Sequence, residues 1–169
     1  MIKGPREIGV YTSPGKDATL DREKWWKMGK PMPIAACYGI DPLLFLVAAT
    51  SLPKTECEYD YYGGINGAPI EVFKSDVTNL ILPAHAEIII EGYIDTDPEK
   101  TQIEGPFGEY PRYYTRVGPQ PYVTITAITM RAKPIYVDVF NAHKEHLVLG
   151  ALPRMGGILR RTRDAIPTV

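Results

Sequence analysis

Glu104-Gly105-Pro106-Phe107-Gly108-Glu109 sets two carboxylates five residues apart, with two glycines, a proline and a phenylalanine between them. The stretch excludes helix, because Pro106 lacks a backbone donor and glycine is costly in a helix interior. Glycine also permits backbone angles and close approaches that a side chain blocks. The chain therefore turns tightly here, and both acids can face one cavity. Burial and like-charge repulsion drive the pKa values of such a pair apart, which sets one group as acid and the other as base. A surface turn with two solvated acids is the competing reading, since acids are mostly exposed.

Working outward, short segments punctuated by glycine and proline flank the stretch. Upstream, residues 86–93 read as a strand with Ile88, Ile89 and Ile90 in a row, hence buried on both faces for part of its length. Residues 95–100 are a polar connection from that strand to the paired acids. Downstream, Pro119-Gln120-Pro121 breaks the chain. Residues 122–130 then alternate Val123, Ile125 and Ala127 against threonines, and residues 135–140 read as their hairpin partner. Residues 8–12, 33–38, 70–74 and 80–82 are further strand candidates, with Ile70 and Val72 pointing inward.

Helices are marked by their ends. Residues 19–28 stop at Gly29 with Pro31 beyond, and the adjacent Trp25 and Trp26 cannot share one face. Asp41-Pro42 is an N-cap followed by proline at the first helical position, opening a helix over 42–50. Its apolar run over 43–49 predicts burial all round. One or two helical turns fit residues 56–64. Residues 154–164 read as a last helix, separated by Pro153 from a helical start at His143. About seven strands and three or four helices in this order predict an α+β fold, a mainly antiparallel closed or split β-barrel with flanking helices.

Composition narrows the function classes. At 169 residues the chain is one domain or a large piece of one, and 44% hydrophobic content is enough for a core. A net charge of −1 gives no basic face for nucleic acid. No apolar run reaches membrane-span length and no leader is evident. Cys37 and Cys57 read as reduced thiols, which places the protein in the cytoplasm. His143 and His146 lie three apart, a spacing that fits metal, but no third ligand is near them and a solvated helix start is the plainer reading.

The wording of several segments adds to this. Glu104 to Glu109 followed by Tyr113-Tyr114 resembles the signature of the UbiD family of prenylated-flavin-dependent decarboxylases. Gly9-Val10-Tyr11-Thr12-Ser13-Pro14-Gly15-Lys16, Gly39-Ile40-Asp41-Pro42, Glu58-Tyr59-Asp60-Tyr61 with Gly63, Pro83-Ala84-His85-Ala86-Glu87-Ile88 and Glu91-Gly92 resemble the same family in the same order. The resemblance implies a flavin-reductase-like split barrel over residues 1–142. It implies a helical segment over 143–169 that leads toward a further domain.

It also implies a chemistry: non-oxidative decarboxylation of an aromatic or α,β-unsaturated carboxylic acid. The cofactor would be prenylated FMN, held with a divalent metal such as Mn, with K as a further candidate ion. By resemblance Glu109 is the proton donor and Glu104 holds and polarises a catalytic arginine. Glu58 is a metal ligand that bridges to the flavin phosphate, with Ala48, Ala49 and Thr50 beside the cofactor and Lys16 near a phosphate. Hard cations take carboxylate and phosphate oxygens, so the residue type at Glu58 suits that role. The family's arginine and metal-binding asparagine have no match here, and Arg6 and Arg112 are the nearest substitutes. The expectation is therefore an incomplete core, inactive alone, in a homo-oligomer or in complex with the rest of the enzyme. A non-catalytic flavin- or partner-binding subunit is the alternative.

Overall fold

Strand β8, Gly118–Met130, is the one on which the others are assembled. The computed structural model describes residues 2–53 and 55–166. In chain order the elements before it are β1 Ile2–Gly4, β2 Glu7–Gly9, α1 Asp17–Lys27, β3 Met32–Tyr38, α2 Pro42–Ala48, α3 Glu58–Asn66, β4 Val72–Lys74, β5 Ile81–Pro83, β6 Ile88–Ile94 and β7 Thr101–Glu104, and α4 Lys144–Ala165 follows it. The main sheet runs β1-β2-β8-β6-β3, with β7 also on β8, and every pairing is antiparallel. Thirteen residues make β8 long enough to take three partners. β6 lies along residues 123–130, β2 along 122–124 and β7 along 118–121.

The sheet buries two apolar clusters. Met32, Ile94 and Val123 form one, with Ile8, Val10, Trp25 and Ile34 packed against them. Leu82, Ala86 and Ile89 form the other, with Ala35, Cys37, Ile40 and Leu80 around them. Successive strand residues point to opposite faces, so Ile34 and Ala35, which divide between the clusters, put them on opposite sides of the sheet. Trp25 thus seats α1 on one face. Trp26 turns the other way, where its Nε1–H donates to Asp95 O at 2.7 Å beneath the Arg22 guanidinium.

On the second face a buried acid fastens the β4–β5 hairpin to the sheet. Glu91, 3% exposed, accepts hydrogen bonds from Ser75 Oγ and, at 2.6 Å, from Thr78 Oγ1. A buried carboxylate is tolerated because it has donors. The Asp41 cap is formed as expected: its side chain accepts from the Leu43 and Leu44 amides, with Pro42 at the start of α2.

The architecture is α+β and mainly antiparallel with flanking helices, but several expectations fail in detail. Residues 70–74 do not join the main sheet; β4 pairs only with β5, and all three of its residues are exposed. Residues 135–140 form no strand. Pro134 interrupts the return from β8, and that segment lies open across the sheet edge, where the Ile135 amide donates to Glu87 Oε2. Pro119 and Pro121 do not break the chain either; they sit in β8 opposite Ile103 and Thr101. Helix α2 buries only Leu44 and Val47, leaving Phe45 exposed. Pro153 lies inside the single helix α4 rather than between two helices. Among the described residues no helix is long and apolar enough to cross a membrane.

Candidate active site

Glu104 is the last residue of β7, and its side chain is 0% exposed. It lies across β2, where a Cβ at Gly9 would collide with Glu104 Oε2. Only glycine leaves room for the carboxylate there. Lys3 on β1 reaches in from the sheet edge, with Nζ 2.7 Å from Glu104 Oε2, and also donates to Ile103 O. Burial pushes the Glu104 carboxyl up, but hydrogen bonds and positive charge, those of Lys3 among them, outweigh it and hold the group below its ordinary value. Glu104 is therefore a carboxylate at neutral pH.

Beyond Glu104 the chain turns at Gly105, whose φ of +90° and closeness to Arg116 O exclude a side chain. The loop then folds back on itself. The Phe107 amide donates to Thr115 Oγ1 and the Thr115 amide to Phe107 O, both at 2.8 Å, while the Glu109 amide donates to Tyr113 O at 2.9 Å. The Phe107 ring meets Tyr11 edge-on at 5.9 Å. Glu109 is half-buried near the tip, followed by Tyr113 and Tyr114, both largely exposed. Two carboxylates on one rigid turn thus differ in access: Glu104 is sealed in, and Glu109 can be reached.

Glu58 begins α3 and is exposed. It lines a cleft of about 480 Å³ together with Asp17, Asp21, Lys24, Thr50 and Glu56. Thr50, past the end of α2, donates its hydroxyl to Leu46 O at 3.1 Å; Ala49 caps that helix and Ala48 is exposed on it. Lys16 stands exposed at the N-cap of α1, beside Asp17. The structure therefore gathers Glu58 and Thr50 at one cleft. Neither Glu104 nor Glu109 is among its walls. Its carboxylates repel a phosphate unless a cation lies between, so the donor chemistry fits a hard divalent ion that bridges to a phosphate. Among the described residues no three His, Cys, Asp or Glu side chains are grouped to hold a metal on their own. Glu58 can supply one ligand of such a site, not the set.

Residues 1–144 match the family described as UbiD: 3-octaprenyl-4-hydroxybenzoate carboxy-lyase Rift-related domain. The chain belongs to the UbiD family. Among solved structures, the UbiD-class enzyme HmfF from Pelotomaculum thermopropionicum in complex with FMN is similar over 100% of this chain and 37% of its own, with 35% identity and a TM-score of 0.91. Vanillic acid decarboxylase from Sedimentibacter hydroxybenzoicus in its closed form is similar over 98% of this chain and 35% of its own, with 30% identity and a TM-score of 0.88. The apo 3,4-dihydroxybenzoic acid decarboxylase from Klebsiella pneumoniae matches over 98% of this chain and 36% of its own, with 27% identity and a TM-score of 0.86. The chain spans little more than a third of the length of these UbiD relatives.

Lys3 is the residue that sequence reasoning missed. Arg6 lies exposed at the β1–β2 turn and Arg112 at the loop tip with a φ of 68°, while Lys3 is the described cation beside Glu104. No local signal marks it, because the pairing joins strands that are distant in sequence.

Proposed function

We propose that this chain supplies the acid–base part of a UbiD-class decarboxylase acting on an aromatic or α,β-unsaturated carboxylic acid with prenylated FMN. The observation that carries the reading is the unequal access of the two acids on one braced turn. A pure scaffold has no need of a sealed, ion-paired glutamate next to a reachable one.

When bound, prenylated FMN supplies the electron sink for the pair released as carbon dioxide leaves. The chain's own residues do the rest. Glu104, kept ionised by the positive charge beside it, Lys3 included, is a fixed negative charge that orients a neighbouring cation rather than a proton donor. Glu109, as a carboxylic acid, gives its proton to the substrate carbon that has lost carbon dioxide, and is protonated again from water. Phe107 and Tyr11 give that turn an apolar wall that keeps bulk water back. Glu58 would help to hold a divalent ion such as Mn in the cleft, where its charge would favour the cofactor phosphate, and Ala48, Ala49, Thr50 and Lys16 would lie beside the cofactor. The exposed apolar side chains Leu152, Met155 and Ile158 on α4 support burial of that helix against a second copy or the remainder of the enzyme.

The test is carbon dioxide release from cinnamic- and hydroxybenzoic-type acids by the holoenzyme reconstituted with prenylated FMN and Mn. Release that depends on Glu109 supports the reading. Binding of the flavin with no release from either acid class rejects it in favour of a non-catalytic flavin-binding subunit.

A further inference from the structure

The loop that carries Glu109 is not held by its own hydrogen bonds alone. Tyr110, the next residue, sends its ring to α4, where Gly150 is the buried residue of that helix. A Cβ at Gly150 would stand 2.7 Å from Tyr110 Cγ, so the ring rests directly on the helix backbone. The Arg154 guanidinium carbon lies 4.5 Å from the ring centroid, and His146 meets the ring edge-on at 6.2 Å. A second contact lies alongside: a Cβ at Gly108 would come within 3.3 Å of Asn141 Cβ. Among the described residues the Tyr110 hydroxyl makes no hydrogen bond, so the ring alone makes the attachment.

The helix at this point is not a uniform rod. Pro153 lies inside it, removes the amide that would donate to Leu149 O, and favours a bend there. Gly150 precedes the proline and Arg154 follows it. Arg154 Nη1 also donates to Gly150 O, so one side chain spans the weak point and covers the tyrosine.

We propose that Tyr110 is a positioning residue for Glu109, latched onto α4 by Gly150 and Arg154, so that the placement of the helix sets the placement of the acid. The idea rests on the role given to Glu109 above. The latch itself is a structural claim that can be read without catalysis. The cation–π contact and ring packing make it specific to an aromatic ring at 110 and to glycine at 150.

The test uses Tyr110→Ala, Tyr110→Phe and Gly150→Val with two readouts. The first is amide hydrogen exchange at Glu109 and Thr115, whose amides close the loop, against Ile125 in the sheet. Tyr110→Ala and Gly150→Val are expected to speed exchange at the two loop amides about tenfold and leave Ile125 unchanged, with Tyr110→Phe behaving as the parent. Unchanged loop exchange in Tyr110→Ala overturns the latch. Should Ile125 also lose protection, Arg154→Met, which keeps the ring packed, decides instead: faster loop exchange supports the latch and unchanged exchange overturns it. The second readout is turnover of the holoenzyme, where Tyr110→Ala is expected to lower kcat about tenfold with KM unchanged, and Tyr110→Phe to restore it. Faster exchange with unaltered kcat, in an enzyme that Glu109→Gln inactivates, overturns the positioning role. An enzyme indifferent to Glu109→Gln shows instead that the proposed function is wrong, whatever the exchange data show.

Discussion

Lys3 and Glu104 form an ion pair at 2.7 Å between the edge strand β1 and the end of β7, with the carboxylate fully buried. Removing one partner of a buried ion pair is destabilising, by up to roughly 3–5 kcal/mol. Lys3→Met should therefore destabilise the protein at neutral pH. The sign with pH is also fixed. With its pKa held below the ordinary value, Glu104 adds stability above the unfolded-state pKa, and that contribution is lost as pH falls through the folded-state pKa. In Lys3→Met the lowering contribution of Lys3 is gone, the carboxyl pKa rises relative to the parent, and less stability should be lost as pH falls. Thermal unfolding between pH 3 and 7, with carboxyl carbon NMR of Glu104, checks both directions.

The glutamate at 109 is expected to be needed for turnover and not for binding. Glu109→Gln keeps the shape and cannot donate an acid proton, so kcat should fall by about 10²–10⁴ while flavin absorbance is retained. Single-turnover carbon dioxide release with a flavin spectrum of the same sample measures the two together.

At the cleft, Glu58→Ala should act on retention instead. Metal and flavin should be lost during gel filtration of the holoenzyme, and the fraction that keeps both should turn over at the parent rate. Metal analysis and absorbance of the eluted protein test this. A variant that elutes fully loaded contradicts the ligand role.

The two thiols should differ in reactivity. Burial first, and the nearby Glu91 charge second, push Cys37 up to about 11, whereas Cys57 is exposed. The thiolate is the reactive form, so at pH 8 a thiol reagent should modify one cysteine rapidly and the second only on unfolding. Cys57→Ser should remove the fast phase.

What could be read from the residues was what local chemistry controls. Asp41-Pro42 specifies a cap through side chain and ring geometry, and the cap is there. Alternation through Val123, Ile125 and Ala127 gives half of β8, and Glu104 to Glu109 is a tight turn because Gly105 and Pro106 permit little else. What was not legible depends on partners. The apolar run at 43–49 meets neighbours on one side only, so its burial is partial. Residues 70–74 alternate like a core strand yet pair only with β5. Proline is tolerated in β8 because β7 aligns opposite it, a fact about pairing and not about Pro119 or Pro121. In the candidate site, both acids of the turn and Glu58 were named from the chain, while Lys3 and Tyr110 appear only once distant strands and α4 are brought together.

The reliance of three strands on β8 has a kinetic consequence. Glu7 pairs with Thr124, and Lys3 pairs with a residue delivered by β7, so the N-terminal edge closes only across most of the chain. Such long closures are entropically costly before any contact offsets them, and folding dominated by them is slow. During synthesis the β3–β6 ladder can form early, but β2, β6 and β7 all wait with open edges until residue 130 has left the ribosome. Exposed strand edges in that interval favour association between nascent chains. Expression at lower temperature should therefore raise the soluble yield of this protein more than any single stabilising substitution at its surface.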